Sequence, residues 1–378
     1  MNQQKIYTML DWLTATLSYI AYNFWNTYTI SLLLGTGVVL TIATRFVQVR
    51  RLHEGMRLVL RGALRRDPSD DAQGDITPFQ ALTTALSATV GNGNIAGVAT
   101  AISTGGPGAV FWMWITAIVG MATKYSEALL GVHFRNVAKD GSMAAGPMYY
   151  IRDGFRATRF LKKAALPLAT LFAICGSWTA LFGTGNMIQS NSMALAFYSE
   201  FNIPYWITAL CVSLMVGMVI IGGIKRIGMV TERLIPFMII IYFSFAVFIL
   251  LTNITHIPGT LWWIIESAFR PQAAVGGFAG HAVREAMKMG VRRGLLSNEA
   301  GMGSAPIAYG AAKTHAPVNQ GLIATMEVFI DTIVVCTMTA LVILVTDAYQ
   351  IPDPTDPELK RTLTSTALTA AAFNTSIP

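Results

Sequence analysis

What most constrains this chain is where its charges are missing. Residues 12–44, 76–123, 164–199, 201–224 and 234–265 contain no Asp, Glu, Lys or Arg, and 314–346 carries only Glu327 and Asp331. As helix, each run is long enough to cross a hydrocarbon core of about 30 Å. Folding them into a water-soluble body would need many central helices with almost no amphipathic ones around them. A charged fraction of 12% is too small to coat such a body. The sequence therefore predicts an all-α polytopic membrane protein.

The net charge of +7 does not point to nucleic acid. The basic residues lie between the apolar runs, without a stripe of interleaved aromatics, and read as membrane-orientation signals. Cys175, Cys211 and Cys336 sit inside apolar stretches without metal or disulfide spacing. No nucleotide cradle, zinc motif or nucleophile triad stands in a plausible context. Met1–Asp11 has no basic leader followed by a cleavage site, so no removable signal peptide is expected.

The first span, about 28–45, is followed by Arg45, Arg50, Arg51, Arg57, Arg61, Arg65 and Arg66. That loop is expected in the cytoplasm and the N-terminus outside, with 12–25 as an outer-interface segment. Further spans are expected at 78–104, 109–134, 165–198, 205–223 and 234–252, with Gly105–Gly108 as an outer turn. A seventh span starts at Trp262 and Trp263 and finishes inside near Lys288, Arg292 and Arg293; an eighth covers 319–346. Leu363–Pro378 begins another apolar segment, too short for an ordinary span and read as a ninth helix cut off.

Gly91-Asn92-Gly93-Asn94-Ile95-Ala96-Gly97 interrupts the second span with three glycines and two amides. Such a stretch is a poor continuous helix. In lipid, its freed backbone groups must be satisfied by protein, water or a ligand. Sodium prefers carbonyl and hydroxyl oxygens, and the N-terminus of a half-helix attracts a carboxylate, so a break of this kind marks a solute and ion site. Close helix packing accounts for the Gly93 and Gly97 spacing but not for Asn92 and Asn94. A second glycine cluster, Gly276–Gly280, falls in the seventh span, which runs opposite to the second. The expected organisation is a helix and basic loop (1–66), a five-helix repeat (76–253) and an incomplete inverted repeat (262–378).

Other polar groups leave alternatives open. Asn186, Gln189 and Asn191 suit either ligand contact or interhelical hydrogen bonds. Glu327 and Asp331 share a face of the eighth span and suit either solute contact or a structural pair. Trp112 and Trp114 are most simply interface anchors. Lys124 and Glu127 need only snorkelling and local pairing.

Long stretches of this sequence resemble the alanine or glycine:cation symporter (sodium:alanine symporter) family. They are GNGNIAGVATAISTGGPGAVFWMWITAIVGMATKYSEALLGVHFR at 91–135, GPMYYI at 146–151, GNMIQSNS at 185–192, RRGLLSNEAGMGSAP at 292–306 and FIDTIVVCTMTALVIL at 329–344. The resemblance implies a LeuT-like five-plus-five inverted repeat with one extra N-terminal helix, the second repeat apparently truncated at Pro378. It implies a non-enzyme without cofactor that couples sodium to uptake of a small neutral amino acid, alanine or glycine. The alternative is a proton-coupled transporter of the same architecture for another small solute. Substrate is expected at Asn92, Gly93, Asn94 and Gln189 and opposite them at Gly277 and Phe278. Gly91, Asn94, Asp331 and Thr332 are the ion-coupling candidates. The expected location is a prokaryotic plasma membrane, the inner one where there are two.

Overall fold

The computed structural model describes Trp12 and residues 14–19, 28–64, 72–270, 279–352 and 363–375. Backbone polar groups in lipid must be paired within the segment, which is why the apolar runs fold as helices. From residue 28 onward, the α-helices of six or more residues are α1 (Ile30–Ala43), α2 (Leu52–Leu64), α3 (Pro78–Thr89), α4 (Val98–Gly105), α5 (Gly108–His133) and α6 (Pro147–Arg156). There follow α7 (Ala165–Phe182), α8 (Thr184–Phe201), α9 (Tyr205–Ile220), α10 (Gly223–Thr252) and α11 (Ile257–Phe269). The remainder are α12 (Ala279–Asn298), α13 (Ala305–Gly310), α14 (Pro317–Val328), α15 (Thr337–Val345) and α16 (Ser365–Asn374). A two-residue β-hairpin, Asn136–Val137 with Met143–Ala144, follows α5.

Among the described residues three runs, Ala165–Tyr198, Gly223–Thr252 and Pro317–Val345, are long and apolar enough to cross a membrane, and α1 and α9 are shorter apolar helices. The chain is thus a polytopic all-α protein. Much of its apolar surface faces outward: Leu171, Trp178, Leu214, Met218 and Ile240 are all exposed, as lipid-facing side chains must be. The run 165–198 is two helices rather than one, because the backbone of Gly183 is extended (ψ 141°) between α7 and α8.

Helix α5 is the central post, packed on α1, α11, α12, α13 and α14. Small residues permit the approach: a Cβ on Gly108 would stand 2.5 Å from the Ser267 carbonyl oxygen, and one on Gly131 2.8 Å from that of Pro306. The register follows from such contacts. Gly294 meets Thr116, Gly120 meets Ala300 and Gly131 meets Pro306, so α12–α13 runs parallel to α5. Gly105 meets Met289 and Gly93 meets Ser297, so α4 runs antiparallel to α12.

This register corrects the seventh span. Met289 lies beside Gly105, so the basic stretch Lys288–Arg293 is at the Gly105–Gly108 end of the bundle, not the opposite one. Those bases sit on the stem of α12, and the crossing continues through a polar, glycine-rich stretch to α13. Trp262 and Trp263 belong to α11, a 13-residue helix at the Gly105–Gly108 end, where Trp263 packs on Tyr349. Trp114 is also not simply an interface anchor: its indole N–H donates to Thr337 Oγ1 at 2.8 Å, within the bundle.

Two apolar cores flank a polar middle. One, towards the Gly105–Gly108 turn, joins Val98, Ile102, Met113, Ile249, Ile264 and Ile343. The other, towards the end of α5 that leads to Arg135, joins Ile76, Leu82, Leu86, Ile235, Tyr309 and Ile323.

Candidate functional site

Three irregular backbone stretches meet between these cores. The first begins where α3 ends. A capping box of Thr77 and Gln80 fixes the start of that helix, and Val90 turns extended at its end. Five residues of π-helix, Gly93–Gly97, then lead into α4. Asn94 closes the break over itself and reaches across the bundle. Its Oδ1 accepts the Gly91 N–H at 2.8 Å, while its Nδ2 donates to Asp331 Oδ1 at 2.7 Å and to the Asp331 carbonyl at 3.0 Å. Gly93 allows the close approach, since a Cβ there would be 3.3 Å from Ser297 Cα, whereas Gly97 has no comparable neighbour.

The second stretch is Glu299–Ser304, between α12 and α13. Glu299, Gly301 and Gly303 adopt positive φ (51°, 88° and 79°), which stops the helix and restarts it at Ala305. At its edge Ser297 Oγ donates to Asp331 Oδ2 at 3.0 Å, and Asn298 Nδ2 lies 3.5 Å from Thr332 Oγ1. Sequence reading placed the second break at Gly276–Gly280. Gly277 and Phe278 lie outside the described residues, and Gly280 falls within α12. The alternation of glycines at 301 and 303 behind Ser297 and Asn298 was the available signal.

The third stretch is an eight-residue π-helix, Phe329–Cys336, between α14 and α15. Widened turns of this kind recur at functional sites. Asp331 and Thr332 lie here with no solvent exposure, and Thr332 Oγ1 donates to Asp331 Oδ2 at 2.7 Å. Cys336 Sγ lies 3.3 Å from Asn94 Nδ2. Among the described residues no ion pair neutralises Asp331, and no group of three His, Cys, Asp or Glu side chains could hold a metal. A cation here would rely on one carboxylate and neutral oxygens. The chemistry fits sodium: the Ser297 and Thr332 hydroxyls converge on the same carboxylate oxygen, Oδ2, leaving Asn94 on the other.

Gln189, an exposed residue of α8, approaches the first break: its Nε2 is 3.5 Å from where a Cβ of Gly91 would be. Gly91, Asn92, Gly93, Asn94, Gln189, Asp331 and Thr332 thus fall in one neighbourhood. The missed members are Ser297 and Asn298. A further contact comes from α16, where Thr369 Oγ1 donates to the Ile95 carbonyl at 3.2 Å.

Glu327 and Asp331, expected on one face, part company. Glu327 is paired: Lys124 Nζ donates to it at 2.9 Å and Tyr309 Oη at 2.8 Å, all three fully buried. Lys124 therefore does not snorkel. Glu127 does not stay at a membrane surface either; its carboxylate accepts the N–H groups of Gly301 (3.3 Å) and Gly303 (3.0 Å).

At the Arg135 end the two interrupted helices are clasped. Ile76 bridges Ala312 in parallel, Asp75 N–H donates to Ala311 O at 2.8 Å and Lys313 N–H to Ile76 O at 2.7 Å. The Arg135 guanidinium donates to the carbonyls of Gly310, Ala312, Gln73 and Thr314 at 2.6–3.1 Å.

Residues 10–378 match the model of the sodium:alanine symporter family. An uncharacterized transporter of Haemophilus influenzae is 46% identical over 89% of this chain and 71% of that protein. The sodium/alanine symporter AgcS of Methanococcus maripaludis is 45% identical over 94% of the chain and 74% of its own length. A probable sodium/glutamine symporter, GlnT, of Bacillus subtilis is 39% identical over 93% and 68%.

Proposed function

Because the chain belongs to the sodium:alanine symporter family, we propose that it carries a small neutral amino acid, alanine or glycine, across the membrane together with sodium. It is a transporter and not an enzyme. The observation that carries the reading is the meeting of two oppositely running, interrupted helices at a buried carboxylate, Asp331.

Sodium would sit against Asp331 Oδ2 and the Ser297 and Thr332 hydroxyls, exchanging hydrogen bonds for oxygen ligation. The amino acid would lie between Gln189 and the Asn92–Asn94 turn. The N-terminus of the half-helix that leads into α4 suits its carboxylate. We read 76–253 and 262–378 as two inverted units of a LeuT-like arrangement, with α1 and α2 preceding them. Arg51, Arg57, Lys139, Arg152 and Lys225 fall at or near the Arg135 end, which supports a cytoplasmic placement of that end. The conformation then has its cytoplasmic side shut by the clasp between the 73–76 segment and the 310–314 segment. Influx of sodium down its gradient supplies the work, to which a membrane potential adds about 2.3 kcal/mol per charge per 100 mV.

The test is uptake of labelled alanine and glycine into proteoliposomes under an inward sodium gradient. Concentrative uptake that vanishes when potassium replaces sodium is expected. Uptake driven equally by a proton gradient without sodium would transfer the reading to the proton-coupled alternative.

A further inference from the structure

Apart from the Asp331 cluster, four ionisable side chains among the described residues are buried where α5, α13 and α14 meet. Lys124 and Glu127 stand one turn apart on α5, Tyr309 is on α13 and Glu327 on α14; the most exposed, Glu127, reaches 7%. Charges inside a membrane bundle are costly, and well-packed apolar side chains would join these helices without that cost. Directionality is what apolar packing cannot supply.

Glu127 supplies it. Its two oxygens accept from Gly301 and Gly303, both of positive φ and both inside the second break. A carboxylate offers two acceptors and no donor, so it suits two converging backbone N–H groups. A glutamine would turn an NH2 group towards one of them. The turn so fixed connects Ser297 and Asn298 on one side with α13 on the other. There the Tyr309 hydroxyl fastens the short helix to Glu327, and Lys124 fastens Glu327 to α5.

We propose that Glu127 is a positioning residue for the coupled reaction. Its carboxylate shapes the 299–304 turn so that Ser297 and Asn298 are aimed at Asp331 and Thr332, and the affinity for sodium and amino acid depends on it although it touches neither. This rests on the symport reading above.

The experiment compares the wild-type protein with Glu127→Gln and Glu127→Asp in proteoliposomes, alongside amide hydrogen exchange in the same preparations. For Glu127→Gln, both the sodium concentration for half-maximal uptake and the alanine KM should rise about tenfold, with maximal rate changed less. Exchange at Gly301 and Gly303 should accelerate about tenfold while amides of α5 keep their protection. Glu127→Asp, which keeps both acceptors on a shorter stem, should recover part of each loss. Unchanged affinities in Glu127→Gln, or a loss confined to maximal rate and thermal stability with exchange at Gly301 and Gly303 unaltered, would overturn the proposal. If the wild-type protein itself shows no sodium-driven uptake, the symport reading fails instead; unaltered exchange in Glu127→Gln would then still sink the proposal, and accelerated exchange would uphold the turn-shaping role.

Discussion

Asn94 donates to the Asp331 carboxylate at 2.7 Å across a sequence separation of 237 residues, and both residues lie on π-helical backbone. Their contact, with that of Ser297, is the point at which the two interrupted helices and the α14–α15 stretch meet.

Asp331→Asn keeps the shape of this contact and removes its charge. We predict that the variant requires at least about tenfold more sodium for half-maximal alanine binding, the size expected for a charge-assisted bond. A sodium titration of alanine binding decides it. Identical sodium dependence in variant and wild type would remove Asp331 from the ion site.

Gly93 faces Ser297 at a distance where one added carbon is already tight. Gly93→Leu is predicted to insert in the membrane yet lose alanine binding, because the branched side chain must displace Ser297 or fill the space for solute. Gln189→Ala, on the exposed side of the site, should weaken alanine binding by about 1 kcal/mol. Dissociation constants at fixed sodium test both; normal affinity in Gly93→Leu would show that the solute lies elsewhere.

Lys124 and Glu327 form a buried pair at 2.9 Å. Lys124→Met leaves the carboxylate without its cation and should cost roughly 3–5 kcal/mol. The double variant Lys124→Met with Glu327→Met removes both charges and should regain much of that loss. Unfolding in detergent measures the cycle, and equal destabilisation by single and double variants would show the pair to be uncoupled.

Arg135 reaches four carbonyls with a planar fork, a geometry that a lysine ammonium cannot reproduce. Arg135→Lys is predicted to loosen the clasp, so that a cysteine placed at Thr314 is labelled faster from the Arg135 side than in the parent. Labelling at the parent rate would mean that the backbone bridge at Ile76 and Ala312 closes this end unaided.

Charge-free runs made the polytopic membrane class legible, because hydrocarbon length and desolvation of charge act on local sequence alone. The first break was legible for the same reason, since glycine and asparagine are poor helix formers wherever they stand. The second was not. In 292–306 the helix carries bases on one turn and breaks two turns later, and its polar character is hidden only by packing on α5 and α4. Bases at 292 and 293 read locally as the end of a span, and the glycines at 276–280 are the denser cluster. The partition of Glu327 from Asp331 was also invisible, because a regular helix would put residues four apart on one face. Lys124 looked like an end residue because nothing local shows that Glu327 lies opposite it.

The π-helical stretch between α14 and α15 carries a demand on length rather than on composition. Such a widening is equivalent to one residue inserted into an α-helix. Deleting Ile330, which lies between Glu327 and Asp331, would tighten the winding and turn Asp331 by up to about 100° relative to Glu327. Lys124 would keep its partner while Asn94 lost its own. Conservative replacements along Ile330, Ile333 and Val334 should thus be tolerated where a one-residue deletion between Glu327 and Asp331 is not, so that the spacing matters more than the side chains that fill it.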